Sequence, residues 1–137
     1  MPTTIRIAAA LLIGGDGQTL LVRKRGTQAF MQPGGKIDAG EQPVEALARE
    51  LHEELNLRIE PSQTVYLGRF SAPAANEPGF TVQAELFQVR IDVPVAPAAE
   101  IEEVRWIDPA GDGGLLLAPL TRDQILPFYR ASLTTSA

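Results

Sequence analysis

Three glutamates in the segment Arg49-Glu50-Leu51-His52-Glu53-Glu54 have a spacing that can do chemistry on a helix. Glu50, Glu53 and Glu54 stand at i, i+3 and i+4, so on a helix they would lie within about 100° of arc on one side. Like charges packed in this way repel one another unless a cation sits among them. Oxygen-only ligands select a hard ion, Mg²⁺ or Mn²⁺ rather than zinc. The spacing therefore predicts a divalent metal site on one helix face.

The glutamates belong to a longer pattern of charged residues and glycine. Its members are Gly35, Glu41, Arg49-Glu50, Glu53-Glu54 and Leu57. This pattern resembles the Nudix box, G-x5-E-x7-R-E-U-x-E-E-x-G-U, in which U is aliphatic. With six charged or glycine letters at roughly 7% usage each, a chance match at a given start is about one in ten million. We therefore identify the chain as resembling the Nudix hydrolase superfamily, whose members include MutT-like proteins.

One letter departs from the family pattern, because Asn56 stands where the family has glycine. That position often needs a positive φ, and asparagine is the next residue to tolerate one. We therefore expect the helix to end at Asn56 all the same.

The resemblance implies roles for individual residues. Glu50, Glu53 and Glu54 would be the metal ligands, with Mg²⁺ as the cofactor and Mn²⁺ as the alternative ion. Arg49 and Glu41 would complete the catalytic set, and Arg49 could pair with Glu41 or Glu53 to fix carboxylate orientation. A further metal ligand would be Glu100, in a stretch that resembles a family loop, although Glu102 and Glu103 compete for that assignment.

Such ions would support hydrolysis of a pyrophosphate bond, since they bind its oxygens and lower the pKa of a bound water. Glu50 and Glu54 are candidates for the base that takes the proton of the water, with Glu100 a third. The resemblance implies hydrolysis of a nucleoside diphosphate linked to another moiety X, such as a (d)NTP or ADP-ribose. The alternative is a non-catalytic nucleotide-sensing Nudix domain, because fold does not fix function.

Candidate substrate-binding residues flank the first part of the motif. Arg23 and Arg25 belong to the chain's basic cluster and could meet phosphates or simply lie at a solvated strand end. Gly34 and Gly35 follow Pro33 and would let the backbone turn sharply close to a ligand. Pro73 lies near the position where ADP-ribose-cleaving relatives carry a proline, so the choice between (d)NTP and ADP-ribose stays open.

Two other activities of this fold fit the composition less well. The resemblance implies a catalytic cysteine for the isopentenyl diphosphate isomerases, and the chain has no cysteine. An RNA-decapping enzyme is expected to present a basic surface, whereas the formal net charge is −5. We therefore expect a small-molecule nucleotide substrate and no nucleic-acid partner.

The elements that must position the motif follow from local signals. Strands are predicted over 4–13, 19–22, 64–70, 80–93 and 104–107, a helix over 43–55, and a closing helix over 121–132 that is interrupted or kinked near Pro127. Loops are predicted over 72–79, 94–99 and 108–114. Strands on both sides of a central helix indicate an α/β protein, a Nudix-type α/β/α sandwich with a mixed β-sheet.

The bulk numbers bound the organisation of the chain. Its 137 residues with 45% apolar content predict one Nudix domain over residues 1–137. The apolar run 7–13 is too short for a membrane span and lacks a signal-peptide pattern, so we expect a cytoplasmic protein without a membrane partner. No heptad or large apolar stripe indicates an oligomeric state.

Overall fold

The computed structural model describes residues 3–134, in which three strands precede each of two helices. The elements are β1 (Thr4–Ile13), β2 (Thr19–Lys24), β3 (Gly34–Lys36), α1 (Pro43–Leu55), β4 (Thr64–Pro73), β5 (Thr81–Arg90), β6 (Ile101–Ile107) and α2 (Leu126–Thr134). The six strands form one sheet in the order β4-β5-β1-β2-β6, and β3 pairs with β1. Only the β1–β5 pair is parallel among the named strand pairs, so the sheet is mixed as predicted.

Strand β1 is the centre of the sheet and is buried on both faces. Ala8, Ala10 and Leu12 pack with the buried side of α1. Ala9, Leu11 and Ile13 pack on the opposite face with the segment that leads into α2. Because successive side chains of a strand point to opposite faces, a strand covered on both faces is a continuous apolar run. The predicted α/β/α sandwich is therefore confirmed.

Helix α1 carries the acidic motif and has the predicted bounds. Its first turn is fixed by Glu45, whose carboxylate accepts the backbone N–H of Gln42 at 2.8 Å. It ends at Asn56, which adopts φ 53°, and the N–H of Asn56 donates to the carbonyl of His52. The amide of Asn56 also donates to the carbonyl of Ala96 at 3.1 Å. Asparagine thus performs the helix stop that glycine provides in the family pattern.

Five strand boundaries differ from the prediction, and one of them is the end of β2, which continues past Val22 to Lys24. β4 continues to Pro73, because Ala72 and Pro73 still pair with β5, and β5 itself is shorter than predicted, from Thr81 to Arg90. β6 begins at Ile101, not Val104. Glu102 and Glu103 are therefore strand residues and not part of a loop. The prediction failed here because adjacent acids indicate a solvated loop, whereas Arg23 of β2 lies opposite Glu103 and compensates its charge.

The C-terminal helical region is interrupted before Pro127, as predicted. A π-helical turn, Thr121–Ile125, precedes α2, and the N–H of Leu126 donates to the carbonyl of Thr121, five residues earlier. Pro127 has no N–H with which to continue an α-helical ladder, and the wider turn lies directly before it. Within residues 3–134, no helix has both the length and the apolar content to cross a bilayer.

Candidate functional site

Gly34 and Gly35 follow a bend at Pro33 and begin β3; this stretch, called the glycine turn below, lies against the helix that carries the glutamates. Gly34 has φ 145°, and a Cβ there would overlap the carbonyl of Ala8 and lie 2.8 Å from the Cα of Ala9. Only glycine combines this φ with such a close approach. The N–H of Gly34 donates to Oε1 of Glu54 at 3.2 Å. The turn thus fixes one oxygen of a motif carboxylate.

Glu54 is the buried member of the acidic trio, with 2% of the residue exposed. Its second oxygen, Oε2, has no hydrogen-bond partner among the described residues. Burial raises the pKa of the Glu54 carboxyl to about 8; Glu50 also raises it, whereas the Gly34 N–H and the charge of Lys24 lower it. In this arrangement Glu54 holds a proton at neutral pH, and its buried Oε2 is without the partner that such an atom normally has.

Glu50 lies directly over Gly35. A Cβ at Gly35 would overlap the carboxyl group of Glu50, with Oε1 at 2.7 Å from the added atom. The absent side chain of Gly35 therefore provides the space that the Glu50 carboxylate occupies. Gly35 thus makes room for a motif carboxylate, whereas Gly34 allows the backbone to approach β1 closely.

Arg49 binds several of the motif carboxylates at once. Its guanidinium donates to both oxygens of Glu41, at 2.8 and 2.9 Å, and to Oε1 of Glu50 at 2.9 Å. It lies 3.6 Å from Glu53. The Arg49 hydrogen bonds, followed by the N–H of Asp38, lower the pKa of Glu41 to about 2, and Glu41 in turn raises the pKa of Arg49. Arg49 thus orients Glu50, and its guanidinium also donates to the carbonyl of Lys36 at 3.1 Å, directly after Gly35.

The three glutamates are on one helix side, as the spacing predicts, but their carboxylates do not converge on one point. Within residues 3–134, no three acidic or histidine side chains are grouped closely enough to hold a metal ion. Glu50 is drawn to Arg49, Glu53 is half-exposed, and Glu54 is buried. Arg49 is therefore the cation that lies among these carboxylates. Repulsion between the glutamates does not by itself require a metal ion.

The oxygen donors still fit a hard divalent ion. Glu54 presents an unpartnered buried oxygen, and Glu50 lies in a space that Gly35 leaves open. Both groups are carboxylates, which are the ligands that Mg²⁺ and Mn²⁺ prefer.

The basic cluster divides between the two faces of the sheet. Lys24 lies near Glu54 and pairs with Glu100 at 3.3 Å. Arg23 pairs instead with Glu103, and Arg25 with Glu102, so both candidate substrate-binding arginines are engaged with β6 or its start. Lys24, which the sequence analysis did not single out, is thus the basic residue beside the motif. Because side chains alternate between the two faces of a strand, Lys24 could have been placed on the face opposite that of Arg23.

Two further residues that the sequence analysis missed line a cavity of about 70 Å³ on the other face of the sheet. Gln32 is buried and accepts the Thr121 hydroxyl at 2.7 Å. The other lining residues include Ile7, Ala9, Pro73, Val82 and Leu120. No local signal marks Gln32 or Thr121, because 89 positions separate them and only the fold brings them together.

This site and fold define a known family. The chain matches a family model described as a NUDIX domain over residues 3–123. The chain belongs to the NUDIX family.

Curated relatives carry several activities in their names. The chain is 35% identical over 109 residues to an octanoyltransferase of Myxococcus xanthus, covering 77% of this chain and 30% of that protein. It is 44% identical over 57 residues to an 8-oxo-dGTP diphosphatase of Haemophilus influenzae, covering 39% and 42%. It is 40% identical over 58 residues to an RNA pyrophosphohydrolase of Halorhodospira halophila, covering 42% and 31%. The chain thus spans less than half the length of these relatives.

Solved structures share the fold. A MutT protein from Methanosarcina mazei has a TM-score of 0.78 at 20% identity, with 96% of each chain covered. A bifunctional NMN adenylyltransferase/ADP ribose pyrophosphatase from Francisella tularensis, complexed with AMP and a manganese ion, has a TM-score of 0.73 at 18% identity, covering 96% of this chain and 42% of that one. At these identities the likeness shows the fold alone.

Proposed function

We propose that this chain hydrolyses the pyrophosphate bond of a nucleoside diphosphate linked to another moiety, with a (d)NTP or ADP-ribose as the substrate class. The observation that carries the proposal is the state of Glu54, a buried carboxyl with one oxygen fixed by Gly34 and the other unpartnered. A purely structural residue at this position would gain from being apolar, since burying an incompletely satisfied carboxyl costs stability. The loss of stability from burying the Glu54 carboxyl is explained if this carboxyl binds a metal ion.

Glu50, Glu53 and Glu54 would hold Mg²⁺, with Mn²⁺ as the alternative, and the ion would neutralise phosphate charge and acidify a bound water. The chain's own residues prepare this site. Arg49 orients Glu50, and Glu41 holds Arg49 in place through two hydrogen bonds. The N–H of Gly34 fixes Glu54. Glu100 would join the ligands only if it left Lys24, with which it is paired.

The candidates for the general base differ in their surroundings. Glu54 has a pKa of about 8, so it holds a proton at neutral pH and can act as a base only after that proton is lost. Glu50 accepts a hydrogen bond from the Arg49 guanidinium at 2.9 Å, which fixes the direction of its carboxylate. Glu100 is mostly exposed and paired with Lys24. All three carboxylates therefore remain candidates for the general base.

The names of relatives agree with a phosphoanhydride substrate, because an 8-oxo-dGTP diphosphatase and an RNA pyrophosphohydrolase are among them. We favour a small nucleotide over RNA, since the net charge of −5 offers little attraction to a polyanion.

The test is a panel of nucleoside triphosphates and nucleotide sugars, incubated with Mg²⁺ and followed by identification of the products. We expect turnover by the intact chain and a loss of about 10²–10⁴-fold in Glu54→Gln. The matched control is Glu77→Gln, which changes an exposed loop residue. If the intact chain binds nucleotides but cleaves none of them, the non-catalytic sensing function is correct instead.

A further inference from the structure

The side-chain amide of Gln32 is an unusual feature on the face of the sheet opposite α1. Gln32 is 6% exposed, and its Oε1 accepts the hydroxyl of Thr121 at 2.7 Å. Its Nε2 is buried without a hydrogen-bond partner among residues 3–134. A buried donor without an acceptor is rare in folded proteins and calls for an explanation.

The cavity beside Gln32 offers that explanation. Gln32 and Thr121 are polar members of a wall that is otherwise largely apolar, with Ile7, Ala9, Val82 and Leu120 around it. Its volume of about 70 Å³ is well above the ~10–15 Å³ that one water molecule needs, and the edge of a heterocyclic ring is the part of a nucleotide that would enter it. Apolar walls with a few fixed polar groups are typical of sites for small organic ligands.

The cavity is linked to the glutamate site by a short stretch of chain. Gln32 is two residues before Gly34, so their Cα atoms are at most about 7 Å apart. Gly34 pairs with Ala9, which lines the cavity, and its N–H binds Glu54. A ligand whose ring edge enters the cavity would therefore place its phosphates near Gly34.

We propose that Gln32 is a specificity-determining residue that donates its Nε2–H to a ring carbonyl oxygen of the base. The favoured substrates are nucleotides of oxopurines and oxopyrimidines, and adenine nucleotides, including ADP-ribose, are disfavoured. Adenine presents an amino group where hypoxanthine presents a carbonyl, so two donors would face each other. The proposal rests on the proposed function, because it names the substrate class of that same site.

Thr121 is the positioning residue for this contact. Its hydroxyl donates to Oε1 of Gln32 and so leaves Nε2 as the atom without a partner. Thr121 opens the π-helical turn before α2, and such turns are frequent at functional sites. The wider turn and the threonine hydroxyl together hold the amide in one orientation.

The test uses two pairs of triphosphates that differ by an oxo or an amino group at one ring position, ITP with ATP and UTP with CTP. For the intact chain we expect kcat/KM to favour the oxo member of each pair by about fivefold to a hundredfold, the consequence of leaving a buried donor unpaired. Gln32→Leu should bring both ratios close to one. Gln32→Glu should invert them, because a carboxylate accepts from an amino group.

Two further variants separate specificity from structure. Thr121→Val removes the hydroxyl that orients the amide, so both ratios should fall while turnover of UTP persists. Gln28→Leu changes an exposed glutamine and should leave the ratios unaltered. Thermal midpoints of all variants identify any variant that fails to fold. The two substrate ratios of the intact chain test the proposal even if no variant folds.

Binding of IMP and AMP in the absence of divalent ions gives a second readout that does not need turnover. Tighter binding of IMP by the intact chain, lost in Gln32→Leu, supports the proposal. Equal binding, absence of binding, or a preference for AMP overturns it. Selective binding of IMP with no hydrolysis of any triphosphate would instead overturn the proposed function and leave the role of Gln32 standing.

Discussion

Glu54 governs the pH behaviour of the metal-free protein. Burial raises the pKa of its carboxyl to about 8, whereas an unfolded chain has an ordinary glutamate pKa near 4.3. Between these values the folded state binds one more proton than the unfolded state. The free energy of unfolding must therefore fall as the pH rises through this window.

The first prediction concerns that window. Without divalent ions, the intact chain should lose up to about 4 kcal/mol of unfolding free energy between pH 5 and pH 8 through Glu54. Glu54→Gln should flatten the profile and be the more stable protein at pH 8. Denaturant unfolding in EDTA at several pH values measures this. Glu77→Gln should keep the original slope; an equally steep profile for Glu54→Gln would contradict the assignment.

The second prediction concerns Arg49, which binds Glu41 through two hydrogen bonds and Glu50 through one. Lysine keeps the charge but cannot donate in this forked geometry. Arg49→Lys should lower kcat by about 10–100-fold, and Glu41→Gln should do the same. Combining the two should cost little more than either alone, because they act through one contact. Arg58→Lys is the exposed control, and additive losses would refute the shared role.

At this scale the spacing singled out Glu50, Glu53 and Glu54, and the resemblance to the Nudix box added Arg49 and Glu41. It could not identify Gln32, because the reason for its importance is a partner 89 positions away. Nor could it foresee that Arg49 would be the cation among the carboxylates, since the direction of a long side chain is decided by packing.

At the scale of elements, the two adjacent glycines before α1 have different tasks. A methyl group on Gly34 meets backbone atoms of β1 at a φ of 145°, whereas a methyl group on Gly35 meets the end of the Glu50 side chain. The backbone of β1 can move only at a large cost in free energy, whereas the Glu50 side chain can rotate away.

The third prediction follows from that difference. Gly34→Ala should lower the free energy of unfolding by more than about 2 kcal/mol, because it combines overlap with backbone strain. Gly35→Ala should lower the free energy of unfolding by less than about 1 kcal/mol. It should nevertheless lose most activity, because the added methyl group displaces Glu50. Denaturant unfolding and turnover are measured together, with Gly111→Ala as a control in open space. Equal stability losses for the two glycines would refute this division.

Elements with strong local signals were predictable, and those defined by pairing were not. Helix α1 has Pro43 at its start and Asn56 in the left-handed conformation at its end, so both bounds follow from sequence. β6 begins three residues before the predicted start because Arg23 compensates Glu103 across the strands. The three-residue strand β3 depends on its pairing with β1 and has no signal of its own.

At the scale of the whole molecule, an ion that binds only the folded state must stabilise all of it. The fourth prediction is that Mg²⁺ at 100 times its Kd adds about 2.7 kcal/mol and raises the thermal midpoint by roughly 5–10 °C. The shift should grow from pH 6 to pH 8, because Glu54 must lose its proton to bind the ion.

The control for this melt is NaCl at matched ionic strength, which should give a much smaller shift. Glu54→Gln should lose most of the Mg²⁺ effect. A shift of the same size in Glu54→Gln and the intact chain would show that the ion binds elsewhere.

The alanines at the middle of β1 have a consequence for how this protein can change over time. Ala8 and Ala10 are fully buried beneath α1, and close packing leaves no slack for a larger side chain there. A bulkier residue would lift the helix, and with it Glu50 and Glu54, away from the glycine turn. Substitutions in the interior should consequently lower turnover before they prevent folding. Ala8 and Ala10, which lie in the sheet between the two helical layers, are therefore the positions least free to vary.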